Sequence, residues 1–153
     1  MQECAVIVNS CDKYEDAWHP FFRLFDIMWS DCPYDVYVNP ETKDCTETLH
    51  GGPIKTLHPP KTRYSWTKRL KYALQQIDSE YVITFLEDFF LMSPVRQDVI
   101  DKSIDLMQRN CNIAGIELYI TARTDKVYDY GFVEKNPEST CLLNTYTWLW
   151  RKD

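Results

Sequence analysis

Glycine is scarce in this chain, with four glycines among 153 residues. The common phosphate-binding loops GxGxxG and GxxxxGK(S/T) need glycines at fixed spacings. Neither pattern occurs here. The missing loop after the first strand counts against nucleotidyl transfer onto a sugar phosphate. Any nucleotide must therefore be held by other groups.

Cysteine pairs of the kind that bind metals are also missing. The six cysteines lie at positions 4, 11, 32, 45, 111 and 141 and form no CxxC pair. His19, His50 and His58 do not stand at zinc-ligand spacings beside cysteine pairs. We therefore expect no structural zinc, and we expect reduced thiols in a cytoplasmic protein.

Long apolar runs are absent too. No stretch approaches the ~20 residues that a membrane-spanning helix needs. We predict no transmembrane segment, although a peripheral contact at the inner face of a membrane remains compatible with the sequence. With 44% apolar residues, the chain can form a single domain, residues 1–153, around its own core.

Acidic residues are absent from residues 48–77, which nevertheless contain six basic ones. These are Lys55, Lys61, Arg63, Lys68, Arg69 and Lys71. A cationic segment within a chain of net charge -6 favours a localised anion. The further basic stripes of a duplex-binding surface are missing, so we expect a small phosphorylated ligand and no nucleic acid. The alternative is a solvated helix face.

Strand and helix patterns alternate along the chain, which predicts an α/β fold with a mostly parallel central sheet and helices on both faces. The predicted strands cover residues 4–10, 34–38, 54–57, 81–86 and 113–120. The predicted helices cover residues 14–29 and 65–77, and a third begins at Ser93. Trp66, Leu70, Ala73 and Ile77 are expected on the inward face of the second helix. Residues 121–140 are predicted as a loop with a short strand at 131–133.

The most informative segment is YVITFLEDFFLM, residues 81–92, because it places Glu87 and Asp88 within an apolar run. Ligands of open α/β sheets bind beyond the carboxyl ends of the strands, which is where these two carboxylates are predicted to lie. Such a pair suits a divalent cation or a substrate hydroxyl.

Four segments together resemble the GT-A fold glycosyltransferases that use nucleotide sugars. They are VIVNSCDKY at residues 6–14, the Ser65-Trp66 helix with Arg69, YVITFLEDFFL, and WLWRK at residues 148–152. The likeness is greatest to bacterial enzymes of surface or capsular polysaccharide assembly. It implies a Rossmann-like sheet, a nucleoside diphosphate sugar as donor, with UDP as the expected nucleotide, and a glycan or lipid-linked acceptor.

The resemblance implies that Asn9, Ser10 and Asp12 face the base and ribose of the nucleotide. It places Ser65 and Arg69 beside the diphosphate, where an arginine can make a charge-assisted fork. The alternatives are that Asn9 and Asp12 close a turn, and that Arg69 is an exposed side chain next to Lys68.

Glu87 and Asp88 resemble the acidic motif that holds Mg²⁺ or Mn²⁺ on the donor phosphates. The usual motif is Asp-x-Asp, and Phe89 stands where its last carboxylate would be. Asp88 is therefore the better candidate of the pair. The alternative is a strand-end cap or an ion pair with Arg96 or Lys68.

Trp148 and Trp150 alternate along an extended run, so we expect them on one side, where they stack on an acceptor sugar or pack in the core. No catalytic base is identified. In related enzymes the catalytic base lies after the tryptophan-arginine segment, which corresponds to WLWRK here. A C-terminal catalytic portion is therefore expected to be missing, and Glu117, Asp125 and Asp129 are the substitutes for the base. The second hypothesis is a catalytically incomplete nucleotide-sugar-binding module.

Overall fold

The computed structural model describes residues 2–60, 64–118, 127–135 and 147–152. The strands, numbered in chain order, are β1 Gln2–Asn9, β2 Asp35–Asn39, β3 Thr48–Leu49, β4 Gly52–Pro53, β5 Lys55–Thr56, β6 Ser79–Leu86, β7 Gly115–Glu117 and β8 Trp148–Arg151. The helices are α1 Trp18–Met28, α2 Trp66–Gln76 and α3 Gln97–Arg109. Two 3-10 turns cover Asp12–Ala17 and Asp129–Gly131.

Six strands form one sheet in the order β5-β2-β1-β6-β8-β7, while β3 and β4 pair with each other. The strands β5, β2, β1 and β6 run parallel. β8 lies between β6 and β7 and is antiparallel to both. The predicted α/β architecture with a mostly parallel sheet is therefore confirmed.

The core lies on both faces of the sheet, and β1 contributes to each. Cys4, Val6 and Val8 pack on one face with buried residues of α1 and α3. Ala5 and Ile7 pack on the other face with α2. Because successive side chains of a strand point to opposite faces, a strand covered on both sides reads as a continuous apolar run. The predicted helices on both faces are thus confirmed.

Two helices begin later than the sequence predicts. α1 begins at Trp18, after a 3-10 turn, rather than at residue 14. α3 begins at Gln97 and not at Ser93. The backbone N–H of Val95 donates to the carbonyl of Met28 at 2.8 Å. This hydrogen bond ties the segment before α3 to the end of α1. Arg96, the residue before α3, has non-helical backbone angles, with φ -88° and ψ 88°.

Two short segments also differ from the prediction. The polar loop before β5 contains the β3-β4 hairpin, whose turn residues His50 and Gly51 have φ values of 51° and 77°. Positive φ at both central positions is the geometry that suits a two-residue hairpin. The predicted strand at 131–133 is wrong, because Gly131 ends a 3-10 turn and only an isolated bridge joins Val127 to Val133.

The C-terminal part of the chain contributes β7 and β8 to the sheet. β7 covers residues 115–117 of the predicted strand 113–120, and residues 119–120 lie outside the described ranges. Most of the predicted loop 121–140 also lies outside them. Within the described ranges, no helix has the length and apolar character to cross a bilayer.

Gly115 allows β7 to pack beneath the ring of Trp150. A Cβ at this position would lie 2.5 Å from Trp150 Cε3 and 3.2 Å from the carbonyl oxygen of Leu149. We expect Gly115→Ala to reduce the free energy of unfolding by about 1–3 kcal/mol, because overpacking displaces the ring and the strand. Urea unfolding measures the loss. Gly52→Ala is the control, since its nearest atom would be an ordinary 3.7 Å away, and equal stability of the two variants would contradict the prediction.

Candidate functional site

Three parallel strands end together at one edge of the sheet. Asn9 of β1 is in register with Asn39 of β2 and with Leu86 of β6. Ser10 and Glu87 follow directly, and the backbone N–H of Ser10 donates to the carbonyl of Asn39 at 3.2 Å. The polar residues predicted at the ends of β1 and β6 therefore lie close together at the edge where open α/β sheets bind ligands.

A pair of buried amides stands at this edge. Asn39 Nδ2 donates to Asn9 Oδ1 at 3.1 Å, and both residues are buried. Asn39 Oδ1 has no hydrogen-bond partner. A buried acceptor without a partner is costly unless a ligand or water supplies a donor. Sequence reasoning missed Asn39, although its position at the end of the second parallel strand was the available signal.

Arg69 is the buried cation of the site. It is 5% exposed, whereas Trp66, which the sequence places inward, is 47% exposed. The predicted apolar face of α2 is thus wrong at Trp66, and the alternative of an exposed Arg69 is wrong as well. Arg69 Nη1 donates to the carbonyl of Ser10 at 3.0 Å, and Nη2 lies 4.0 Å from Glu41 Oε1.

The guanidinium of Arg69 is incompletely satisfied. Its Nε is buried and has no hydrogen-bond partner. Burying a charge is expensive unless it is paired and fully hydrogen-bonded. Ser10 and Glu41 supply one hydrogen bond and one contact at the 4.0 Å limit of an ion pair. An anion with oxygens arranged for the guanidinium fork would complete this coordination.

The remaining members of the cationic segment are arranged differently. Lys55 pairs with Asp35 at 2.6 Å, and Lys68 and Lys71 are exposed on α2. Residues 61 and 63 lie outside the described ranges. We call Asn9, Ser10, Asn39, Arg69 and Glu87 the strand-end cluster. Within the described part of the cationic segment, Arg69 is the basic residue that belongs to it.

Ser65 occupies the N-cap position of α2 with an extended backbone, as predicted. Its carbonyl accepts from the backbone N–H of Arg69 at 3.0 Å. Its side chain is exposed and makes no capping hydrogen bond. The hydroxyl therefore remains free of the capping role that serine usually has at this position.

Asp12 is engaged by the loop that follows β2. Its carboxylate accepts from the backbone N–H groups of Glu41, Thr42 and Lys43 at 3.0, 2.9 and 3.2 Å, and also from the Thr42 hydroxyl. Burial favours the neutral acid, but these hydrogen bonds outweigh it and lower the pKa of Asp12 to about 2. These contacts join Asp12 to the loop after β2 and so differ from the alternative in which it closes the turn between β1 and the following helix. The role of Asp12 at the nucleotide stays a prediction.

Glu87 and Asp88 form a tight turn after β6, in which Phe89 N–H donates to the Leu86 carbonyl at 3.1 Å. Glu87 is 6% exposed, whereas Asp88 is exposed. Burial raises the pKa of Glu87, and the charge of Asp88 adds to the rise. A hydrogen bond with Ser10 and the positive charge of Arg69 act in the opposite direction.

Among the described residues, neither Glu87 nor Asp88 forms the alternative ion pair with Arg96 or Lys68. Arg96 pairs instead with Asp98 at 2.7 Å, and the cation whose charge acts on Glu87 is Arg69.

The described residues do not form a metal site by themselves. Nowhere in the described ranges do three or more His, Cys, Asp or Glu side chains come together in a group that could hold a metal ion. Glu87 is buried, which leaves Asp88 as the exposed carboxylate of the pair. One carboxylate fits Mg²⁺ when substrate phosphates supply further oxygens.

Trp148 and Trp150 lie on the same side of β8, as predicted. Their rings stack with centroids 4.6 Å apart and an interplanar angle of 14°. Lys135 Nζ lies 4.9 Å from the centre of the Trp148 ring, and Trp150 packs over Gly115. These contacts match the packing alternative, while the contact with an acceptor sugar stays a prediction.

A cavity of about 1440 Å³ is lined in part by Phe89, which follows the acidic pair in the chain. Trp148, Glu117 and Lys135 contribute to its lining, and Lys135 Nζ pairs with Glu117 Oε2 at 3.0 Å. Among the three substitutes for a catalytic base, Glu117 lines the cavity and Asp129 pairs with Arg109 at 2.6 Å. The third, at position 125, lies outside the described ranges.

Neither the scan against protein-family models nor the search of curated proteins finds a match for this chain. The function must therefore be argued from the strand-end cluster itself.

Proposed function

We propose that this protein is a glycosyltransferase of the GT-A type that transfers a sugar from a nucleoside diphosphate sugar to a glycan hydroxyl. The observation that carries the proposal is the buried Arg69, whose Nε has no partner, at the carboxyl edge of a parallel sheet. Arginine is suited to this position because its planar fork matches two phosphate oxygens at once. The resemblance of the segments around Asn9, Arg69 and Asp88 supports the same assignment.

The donor nucleotide, which we propose to be UDP, lies along the ends of β1 and β2. Asn39 Oδ1 accepts a hydrogen bond from the base or ribose, which supplies the donor that this buried atom lacks. Asn9 orients the Asn39 amide through their 3.1 Å hydrogen bond. Arg69 and the free hydroxyl of Ser65 bind the diphosphate.

We propose that Asp88 binds Mg²⁺ or Mn²⁺ together with the donor phosphates. A metal at that position neutralises the charge that develops on the leaving nucleoside diphosphate. Because the Glu87-Asp88 pair supplies a single exposed carboxylate, we expect the metal to bind with the nucleotide and only weakly without it. Glu87 has a separate task, which is to offset the positive charge of Arg69.

The acceptor is proposed to enter the cavity that Phe89 helps to line, where the Glu117-Lys135 pair supplies polar groups. Glycan hydroxyls both donate and accept, so such a pair can bind two of them. The proposed setting is surface polysaccharide assembly in the cytoplasm, at the inner face of the membrane, with a glycan or a lipid-linked sugar as acceptor.

A catalytically incomplete binding module is the second candidate. It is favoured by the burial of Glu87 beside Arg69, which leaves the acidic pair with one carboxylate for a metal. This candidate predicts nucleotide binding without sugar transfer or hydrolysis.

Thermal unfolding with UDP, GDP and CMP, each with and without Mn²⁺, tests both candidates. A nucleotide at 100 times its Kd should add about 2.7 kcal/mol to the free energy of unfolding. We expect the largest shift with UDP and Mn²⁺ together. If none of the three nucleotides shifts the transition, neither candidate survives.

We expect Asp88→Asn to abolish the Mn²⁺-dependent part of the UDP shift and to reduce UDP-sugar hydrolysis by about 100-fold or more, because the metal loses its protein ligand. The control is Asp31→Asn, an exposed aspartate before β2 at the opposite edge of the sheet. Unchanged Mn²⁺ dependence in Asp88→Asn would remove Asp88 from the metal site. Binding without hydrolysis in the unaltered protein would favour the binding module.

A further inference from the structure

Glu41 is the carboxylate nearest to the outer side of the Arg69 guanidinium. Its Oε1 lies 4.0 Å from Arg69 Nη2, and its side chain is 39% exposed. The other charged group acting near Arg69 is Glu87, which is buried. The two carboxylates therefore differ, because Glu87 is fixed within the cluster while Glu41 meets Arg69 from the solvent side.

The backbone of Glu41 is held, whereas its carboxylate is held weakly. The N–H of Glu41 donates to Asp12 Oδ1 at 3.0 Å. Glu41 Oε2 accepts from the backbone N–H of Asp12 at 3.4 Å, which is long for such a bond. Together with the 4.0 Å contact to Arg69, this leaves the side chain free to rotate into solvent without any change in the loop.

We propose that Glu41 is an internal counter-ion of Arg69 that the phosphates of the ligand displace, so that Glu41 sets the affinity of the site for anions. The proposal rests on the proposed function insofar as Arg69 binds the diphosphate. In the ligand-free protein Glu41 offsets part of the cost of burying Arg69. A phosphate group takes its place because it can approach the fork closely and also engage Nε.

The energetic balance favours this exchange. A partly exposed ion pair at the distance limit contributes little. A bidentate pair of a guanidinium with a phosphate is shorter and stronger. Displacing Glu41 costs a small interaction, and the ligand gains a large one. The cost of displacing Glu41 is the same for every anion that takes its place, so it lowers their affinities by the same factor.

The test compares the wild-type protein with Glu41→Gln, using UDP and inorganic pyrophosphate as probes and isothermal titration calorimetry as the measurement. We expect Glu41→Gln to bind both probes about three- to tenfold more tightly, because it lacks the partly exposed ion pair that competes with the ligand. The thermal midpoint of the ligand-free variant should fall, while its shift on adding UDP should increase. A residue with a merely structural role would lower stability without raising affinity.

The matched control is Glu47→Gln, which removes the same charge from the same loop but from a glutamate paired with His19 at 3.0 Å. We expect its affinities to stay at the wild-type values. Equal affinities of Glu41→Gln and wild type would overturn the counter-ion role, and weaker binding by Glu41→Gln would make Glu41 a ligand contact instead. Tight pyrophosphate binding without UDP binding would retain the counter-ion and refute the proposed function. Absence of binding of either probe to both proteins would overturn both.

Discussion

Replacing Arg69 by methionine is expected to weaken UDP binding by about 10- to 100-fold, the loss of one or two charge-assisted hydrogen bonds. Methionine retains the length of the side chain that packs between α2 and the sheet edge but carries no charge. The carbonyl of Ser10 loses its donor, and Glu41 and Glu87 lose their cation. Calorimetric titration with UDP in the presence of Mn²⁺ measures the effect.

Two further variants separate charge from shape at this position. Arg69→Lys keeps the positive charge without the fork, so its affinity should lie between those of the methionine variant and wild type. Lys68→Met removes an exposed cation from the adjacent position of α2 and should change UDP affinity little at physiological salt. Wild-type affinity in Arg69→Met would exclude Arg69 from the diphosphate site.

The strands of this fold could be predicted because their residues are apolar at successive positions. Most residues of β1 and β6 are buried, and the register of the two strands brings Asn9 beside Leu86. The same reasoning failed on α2, where apolar periodicity favours Trp66 on the inward face. Arg69 takes the inward position because the strand ends supply the Ser10 carbonyl as an acceptor. The apolar periodicity of the sequence does not reveal a hydrogen-bond acceptor on another element, such as the Ser10 carbonyl.

The other missed features also depend on contacts between distant parts of the chain. Asn39 is the last residue of β2. Its proximity to Asn9 becomes visible only when the parallel register is known. The resemblance implies that Asp12 faces a nucleotide, yet its carboxylate accepts hydrogen bonds from residues about 30 positions later. The segment before α3 is held by a backbone hydrogen bond to Met28. Local sequence patterns cannot report any of these pairings.

The residues of the strand-end cluster and the adjoining loop differ in their tolerance to substitution. Asn9, Ser10 and the Asp12-anchored loop have their hydrogen bonds within the protein, so substitutions there disturb the frame of the site. Arg69 Nε and Asn39 Oδ1 are the buried atoms of the cluster that lack partners. Ligand binding can satisfy those two atoms without breaking the frame, which is why both belong to the proposed donor site.

Replacing Arg151 by alanine is expected to reduce the free energy of unfolding by about 2–4 kcal/mol, because several buried groups lose their partner at once. Arg151 lies at the end of β8 and donates to the Met107 carbonyl in the last turn of α3. It also donates to Tyr81 Oη at 3.1 Å and pairs with Glu80 at 3.4 Å. A cation at a helix C-terminus gains from the helix dipole as well.

Urea unfolding of Arg151→Ala beside Arg109→Ala tests whether burial or the number of ion pairs decides stability. Arg109 pairs with Asp105 and Asp129, both at 2.6 Å, but its side chain is exposed on α3. Its replacement should therefore cost no more than about 1 kcal/mol. Arg151 contacts Tyr81 at the amino end of β6, opposite Glu87, so folded Arg151→Ala should bind UDP with wild-type affinity. Equal losses of stability in the two variants would show that the Arg151 contacts with α3 and β6 contribute no more than a surface ion pair.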